Sequence, residues 1–176
     1  DTAMARAEAA IGRLSDPEAE VSAHYLVAED GRIVAMVPEE ARAWHAGVSC
    51  WGRVGDVNSH SIGIELANPG PMAGGPPFAA PQMAALAWLL RSILPRHGIP
   101  PERVVGHACI APGRKQDPGP GFDWRALALM RLAVWRDPDW AAIDRTMSEA
   151  GAAPDARRFQ SAAIRFGYRA TLSGAW

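Results

Sequence analysis

A change of hydrophobic period most constrains what this chain can become. Val21 to Ala28 alternates, with Val21, Ala23, Tyr25 and Val27 on one face and Ser22, His24, Leu26 and Ala28 on the other, the period of a strand. Glu29-Asp30-Gly31 then offers a hairpin turn into Arg32 to Val37, because an Asp-Gly pair accepts the positive φ of such turns. Ser61 to Ala67 alternates again, Ile62, Ile64 and Leu66 facing a core and Glu65 facing away among small neighbours. Beyond a Pro/Gly-rich stretch the period becomes helical. Pro81 suits a first helical turn, Met83, Leu86, Leu89, Leu90 and Ile93 form one stripe, and Gly98 closes it. The remaining segments predict a helix over Ala3 to Leu14 stopped by Ser15-Asp16-Pro17, a short strand over Arg103 to Gly106, and a helix from Asp123-Trp124 to about Val134. After Arg136-Asp137-Pro138 two short helices follow, Trp140 to Ala150 and Asp155 to Phe166. The fold class is therefore α/β (α+β): a mixed central sheet flanked by helices, with a small C-terminal helical segment.

Composition removes several function classes. With 18 basic and 19 acidic side chains the net charge is -1, without the basic excess of a nucleic-acid binder. The longest apolar run, Met83 to Leu90, is far shorter than the roughly 20 residues that cross a bilayer, so no transmembrane segment is expected. Two cysteines, Cys50 and Cys109, do not make a disulfide scaffold.

The densest chemistry lies in Gly106-His107-Ala108-Cys109-Ile110-Ala111-Pro112-Gly113-Arg114-Lys115-Gln116-Asp117-Pro118-Gly119-Pro120. A histidine at a strand end and an aspartate across a proline-stiffened loop can converge, and both are good zinc donors. Lys115, two residues before Asp117, would share its face in extended backbone. Glu65 supplies a carboxylate on a non-core strand face. A metal, a general base and a cationic oxyanion stabiliser are the parts of metal-assisted hydrolysis. The competing reading of the same residues is a hydrogen-bonded loop histidine, an Asx-type turn before proline and a solvated strand glutamate. His24, His45 and His60 are the in-chain candidates for a third donor. His24 reads better as a buried, satisfied histidine, His45 equally well as a surface or substrate contact, and His60 and His97 border a turn and a helix end.

With these residues in place, the chain resembles the zinc-dependent type-2 N-acetylmuramoyl-L-alanine amidases, relatives of the peptidoglycan recognition proteins. The matching stretches are Val21-Ser22-Ala23-His24-Tyr25-Leu26-Val27, Ala43-Trp44-His45-Ala46-Gly47-Val48-Ser49, Asn58 with Ser61-Ile62-Gly63-Ile64-Glu65-Leu66, and the His107 to Pro120 run, in family order over about residues 20 to 125. The resemblance implies cleavage of the amide between N-acetylmuramic acid and L-alanine in peptidoglycan or muropeptides. It makes His107 and Asp117 ligands of Zn2+, Glu65 the catalytic glutamate and Lys115 the oxyanion stabiliser, with Trp44, His45 and Asn58 contacting sugar or peptide. The family's third ligand is a histidine ending a first strand, expected here upstream of Asp1. Cys109 stands where relatives often carry aspartate. Residues 136–176 resemble part of a helical peptidoglycan-binding module behind an amidase domain over 1–135, which favours the bacterial cell envelope over a cytoplasmic recycling role. Two rivals are a non-catalytic peptidoglycan-binding module without a complete metal site, and a thiol hydrolase using Cys109 with His107 as base.

Overall fold

The computed structural model describes residues 7–70, 74–137, 139, 141, 155–170 and 172–173. Helix α1 (Ala7–Leu14) buries Ala7, Ala10 and Leu14, one stripe at helical spacing, and Asp16 caps the 3-10 turn Pro17–Ala19 that follows by accepting the Glu18 N–H at 2.9 Å. The first residues of the expected helix, 3–6, lie outside the described residues.

Three strands make a mixed sheet in the order β2-β1-β3. Strand β1 (Tyr25–Val27) pairs antiparallel with β2 (Ile33–Ala35), Leu26 opposite Val34, and parallel with β3 (Ile64–Leu66), Leu26 opposite Glu65. The expected Asp-Gly turn joins β1 to β2: Gly31 adopts φ +89 and the Arg32 N–H donates to Asp30 Oδ1 at 2.9 Å. Central β1 is buried on both faces. Leu26 packs with α1 through Ala7, Ala10 and Leu14, while Val27 packs with Leu89 and Ile93 of α2 (Ala80–His97). All three strands are shorter than the alternation suggested; His24 and Tyr25 both donate backbone N–H groups to the Gly63 carbonyl, and the regular ladder starts only at Tyr25.

Helix α2 begins at Ala80, one residue before the expected proline, and ends on left-handed Gly98, φ +62. One buried side chain on it was not legible as core. Gln82 is 0% exposed, and its Nε2 donates to Val27 O and to Ala67 O, both at 2.9 Å, locking the ends of the two parallel strands together. The main core lies between α2 and the C-terminal half of the sheet domain: Leu86, Ala87, Leu90, Leu94, Phe122, Leu127, Leu132 and Ala133.

Two expected elements differ. Arg103 to Gly106 is not a strand: Pro101–Arg103 is a 3-10 turn, and Val104 to Gly106 runs on with no strand paired to it among the described residues. Helix α4 (Trp124–Leu129) stops well before Val134. Arg131 turns left-handed at φ +59 and the Leu132 N–H returns to Leu127 O at 2.9 Å, which brings Leu132 and Ala133 into the core, each 5% exposed. Of the two tail helices, Trp140 to Ala150 lies outside the described residues except Ala141. The other is α5 (Ala156–Phe166), capped by Asp155, whose carboxylate accepts the Arg158 N–H at 3.0 Å. Its end docks on the sheet domain: the Gly52 N–H donates to Gly167 O at 2.7 Å, and Trp51 meets Phe166 and Tyr168 edge-on at 5.8 and 5.3 Å.

Candidate active site

His107 opens the one-turn helix α3 (His107–Ile110) instead of ending a strand. Behind it, Gly106 allows the loop to fold on itself, since a Cβ there would come 2.6 Å from Pro118 Cδ. The Ala108 N–H donates to Asp117 O at 2.9 Å, a backbone tie that brings the two ends of the loop together. His107 Nδ1 and Asp117 Oδ2 consequently lie 3.1 Å apart.

The tautomer follows from the other nitrogen. His107 Nε2 is 3.1 Å from the Ala46 carbonyl, which can only accept, so Nε2 carries the hydrogen. In the neutral ring Nδ1 is then a lone pair aimed at a carboxylate oxygen, and two electron pairs that close need a shared cation between them. A proton or a metal ion fits that description. The separation is near what two bonds of about 2.0–2.2 Å span at a tetrahedral centre. Asp117 is half-buried; burial pushes its pKa up, but the His107 hydrogen bond and charge outweigh this and hold it below the usual value. Among the described residues no three His, Cys, Asp or Glu side chains group closely enough to hold a metal ion.

A cavity of about 480 Å³ opens beside this pair, walled by Glu65 of β3, Lys115, His45, Arg114, His107 and Asp117 and floored by core residues such as Leu90 and Phe122. Burial pulls the Lys115 pKa down, with Asp117 and Glu65 opposing that pull, so the ammonium lies in the field of both carboxylates.

His45 and Asn58 are joined to this site by the loop between them. Buried Asn58 uses its carboxamide oxygen on two consecutive backbone donors, His45 N–H at 3.0 Å and Ala46 N–H at 2.8 Å. The His45 ring lies flat against Gly63, where a Cβ would stand 2.2 Å from its Cγ. Burial above all, then the neighbouring His24, lowers the His45 pKa to about 4, so the ring is neutral; its Nε2 is buried without a hydrogen-bond partner among the described residues. Trp44 is not brought to the cavity wall. It is 52% exposed, with the Arg42 guanidinium 4.0 Å over its ring. His24 is 1% exposed and satisfied, Nδ1 accepting the Gly63 N–H at 2.9 Å and Nε2 donating to Ala41 O at 3.0 Å. It has no electron pair left for a metal.

The thiol dyad does not form. Both His107 nitrogens are engaged elsewhere, and Cys109 packs with Trp51, Val57 and Ile110. Burial, then a hydrogen bond with Cys109, pushes the Tyr168 hydroxyl up to about 12. Arg114 escaped the sequence reading: its bonds go to backbone carbonyls, which no sequence pattern marks.

Comparison with known proteins decides the family. The model of the family Amidase_2, N-acetylmuramoyl-L-alanine amidase, matches residues 1–120. The chain belongs to that amidase family. Among curated relatives, this amidase-family chain is 42% identical over 142 residues to N-acetylmuramoyl-L-alanine amidase AmiD of Escherichia coli K12, covering 74% of the chain and 51% of AmiD. It is 43% identical over 118 residues to 1,6-anhydro-N-acetylmuramyl-L-alanine amidase AmpD of Salmonella typhimurium, covering 66% of the chain and 61% of AmpD. The chain thus spans half to three-fifths of the length of these relatives. Among solved structures, it superposes on AmpDh3 of Pseudomonas aeruginosa with a TM-score of 0.81 at 35% identity, over 97% of this chain and 72% of that one. For E. coli AmiD in complex with the substrate anhydro-N-acetylmuramic acid-L-Ala-D-gamma-Glu-L-Lys, the TM-score is 0.78 at 38% identity, over 93% and 68%.

Proposed function

We propose that this chain hydrolyses the amide between the lactyl group of N-acetylmuramic acid and L-alanine in peptidoglycan or its muropeptide fragments, with zinc as cofactor. The observation that carries the reading is the single cavity that gathers Glu65, Lys115 and the facing His107–Asp117 pair. Similarity to AmiD, solved with an anhydro-muropeptide substrate, supports the substrate class. Among the described residues, His107 Nδ1 and Asp117 Oδ2 would hold the zinc. When bound, zinc would supply a Lewis acid that lowers the pKa of water towards about 7 and polarises a carbonyl.

The protein groups do the rest. Glu65 takes the proton of the attacking water as general base and hands it to the departing nitrogen. The carbon–nitrogen bond breaks, leaving a lactyl carboxylate and a free L-alanyl amine. Lys115, on the wall of the same cavity, stabilises the charge that develops on the carbonyl oxygen. His45, neutral and braced on Gly63, lines the wall that the substrate would meet, and Asn58 fixes the loop that presents it.

The domain division follows the same reading: 1–135 as the amidase domain and 136–176 as part of a helical peptidoglycan-binding-like segment, with the cell envelope as the site of action. No helix among the described residues is long and apolar enough to cross a membrane. The test is digestion of purified muropeptides by the full-length gene product with and without a chelator, read by mass spectrometry. Loss of L-alanyl peptide that zinc restores is expected. Binding of muropeptide without any cleavage would instead establish the non-catalytic module.

A further inference from the structure

We propose that Arg114 is a positioning residue that fixes the orientation of His107 through the Ala46 carbonyl, an inference that rests on the amidase reading above. Its Nη2 donates to Ala46 O at 2.9 Å and its Nε to Val48 O at 3.0 Å, while Nη2 lies 3.5 Å from His107 Nε2. Ala46 O is the acceptor that receives the His107 Nε2–H. The guanidinium and the imidazole therefore share one carbonyl, and whatever holds that carbonyl aims the opposite ring nitrogen at Asp117.

The Ala46 side chain is buried in a core cluster, but the stretch that follows it is open. Val48 is 87% exposed, and Gly47 has no side chain and adopts φ +57. Asn58 grips the N–H side of the loop at His45 and Ala46; Arg114 grips the carbonyl side at Ala46 and Val48. The planar fork reaches the two carbonyls from separate nitrogens in fixed geometry, whereas a lysine would have to reach both from one nitrogen. Position 47 must also stay small, since a Cβ there would come within 3.3 Å of the guanidinium. Partners that orient a metal-bound histidine typically govern metal affinity 10- to 100-fold. Arg114 acts one bond further out, so the low end of that range applies.

The experiment measures zinc affinity, by competition with a chromophoric chelator, in full-length wild type, Arg114→Met and Arg114→Lys, with circular dichroism and melting temperature beside it. Both variants should bind zinc about tenfold more weakly, and their muropeptide turnover should recover as zinc is raised. Folded variants with wild-type zinc affinity overturn the role, as does a raised KM at unchanged zinc affinity, which would make Arg114 a substrate contact. If Arg114→Met fails to fold, Arg114→Lys decides, because it keeps the charge and removes only the fork. Wild type that binds no zinc overturns the amidase reading itself, whereas wild type that binds zinc with unaffected variants overturns only the role of Arg114.

Discussion

At the scale of single residues, the proposed mechanism assigns proton transfer to Glu65 and cation holding to His107 and Asp117, and the two roles predict different responses to substitution. Glu65→Gln keeps the volume and removes the base, so kcat should fall by about 10²–10⁴ while zinc content by elemental analysis stays at the wild-type level. Turnover retained in that variant would remove Glu65 from the reaction. Asp117→Ala should do the opposite in the binding assay, stripping most of the zinc, because it leaves His107 Nδ1 with nothing to share a cation with. The sequence proposed His107, Lys115 and Asp117 from one short run and Glu65 from a separate strand, and the structure lines one cavity with all four. Arg114 was not legible there, although it adjoins Lys115, because its partners are the carbonyls of Ala46 and Val48 and backbone groups leave no trace in side-chain pattern.

Elements are placed by contacts that the hydrophobic period only partly encodes. The change from period two to 3.6 located β1, β3 and α2 because their stripes are packed against one another. It overran at α4, where the left-handed turn at Arg131 buries Leu132 and Ala133, and at Val104 to Gly106, where no neighbouring strand completes a ladder. Gly63 shows the cost of ignoring close approach. Gly63→Ala would drive a methyl into the His45 ring, and such overpacking typically costs about 1–3 kcal/mol. Urea unfolding should show a lower midpoint with the slope unchanged. An unchanged midpoint would mean the His45 ring does not lie against Gly63. The tail obeys the same logic, as Gly167, at φ +135, has its Cβ position 2.7 Å from Trp51.

On the scale of the whole molecule, one contribution to acid stability lies away from the cavity. Glu39 accepts Arg96 Nε at 3.1 Å and the Tyr25 hydroxyl at 2.7 Å, and also meets His97, tying the loop after β2 to the end of α2 and to β1. The Arg96 hydrogen bond above all, opposed by burial and aided by Tyr25 and His97, holds its pKa near 2 against an ordinary 4.5. A depressed carboxyl pKa stabilises the fold fully above the unfolded value and loses that contribution as pH falls towards the folded one. Stability should therefore decline between about pH 4.5 and pH 2, and Glu39→Gln should flatten this limb in denaturation measured across pH. An acid limb as steep as that of wild type would place its origin elsewhere. Most of the fold's order could be read ahead of the structure, but not this tie, whose partners lie 57 and 58 residues apart along the chain. Nor could Gln82. Because one carboxamide grips the carbonyls of Val27 and Ala67 together, parting the two parallel strands at this end must break both of its hydrogen bonds. A helix thereby staples the strand that carries the carboxylate at position 65, two residues before the Ala67 carbonyl it holds.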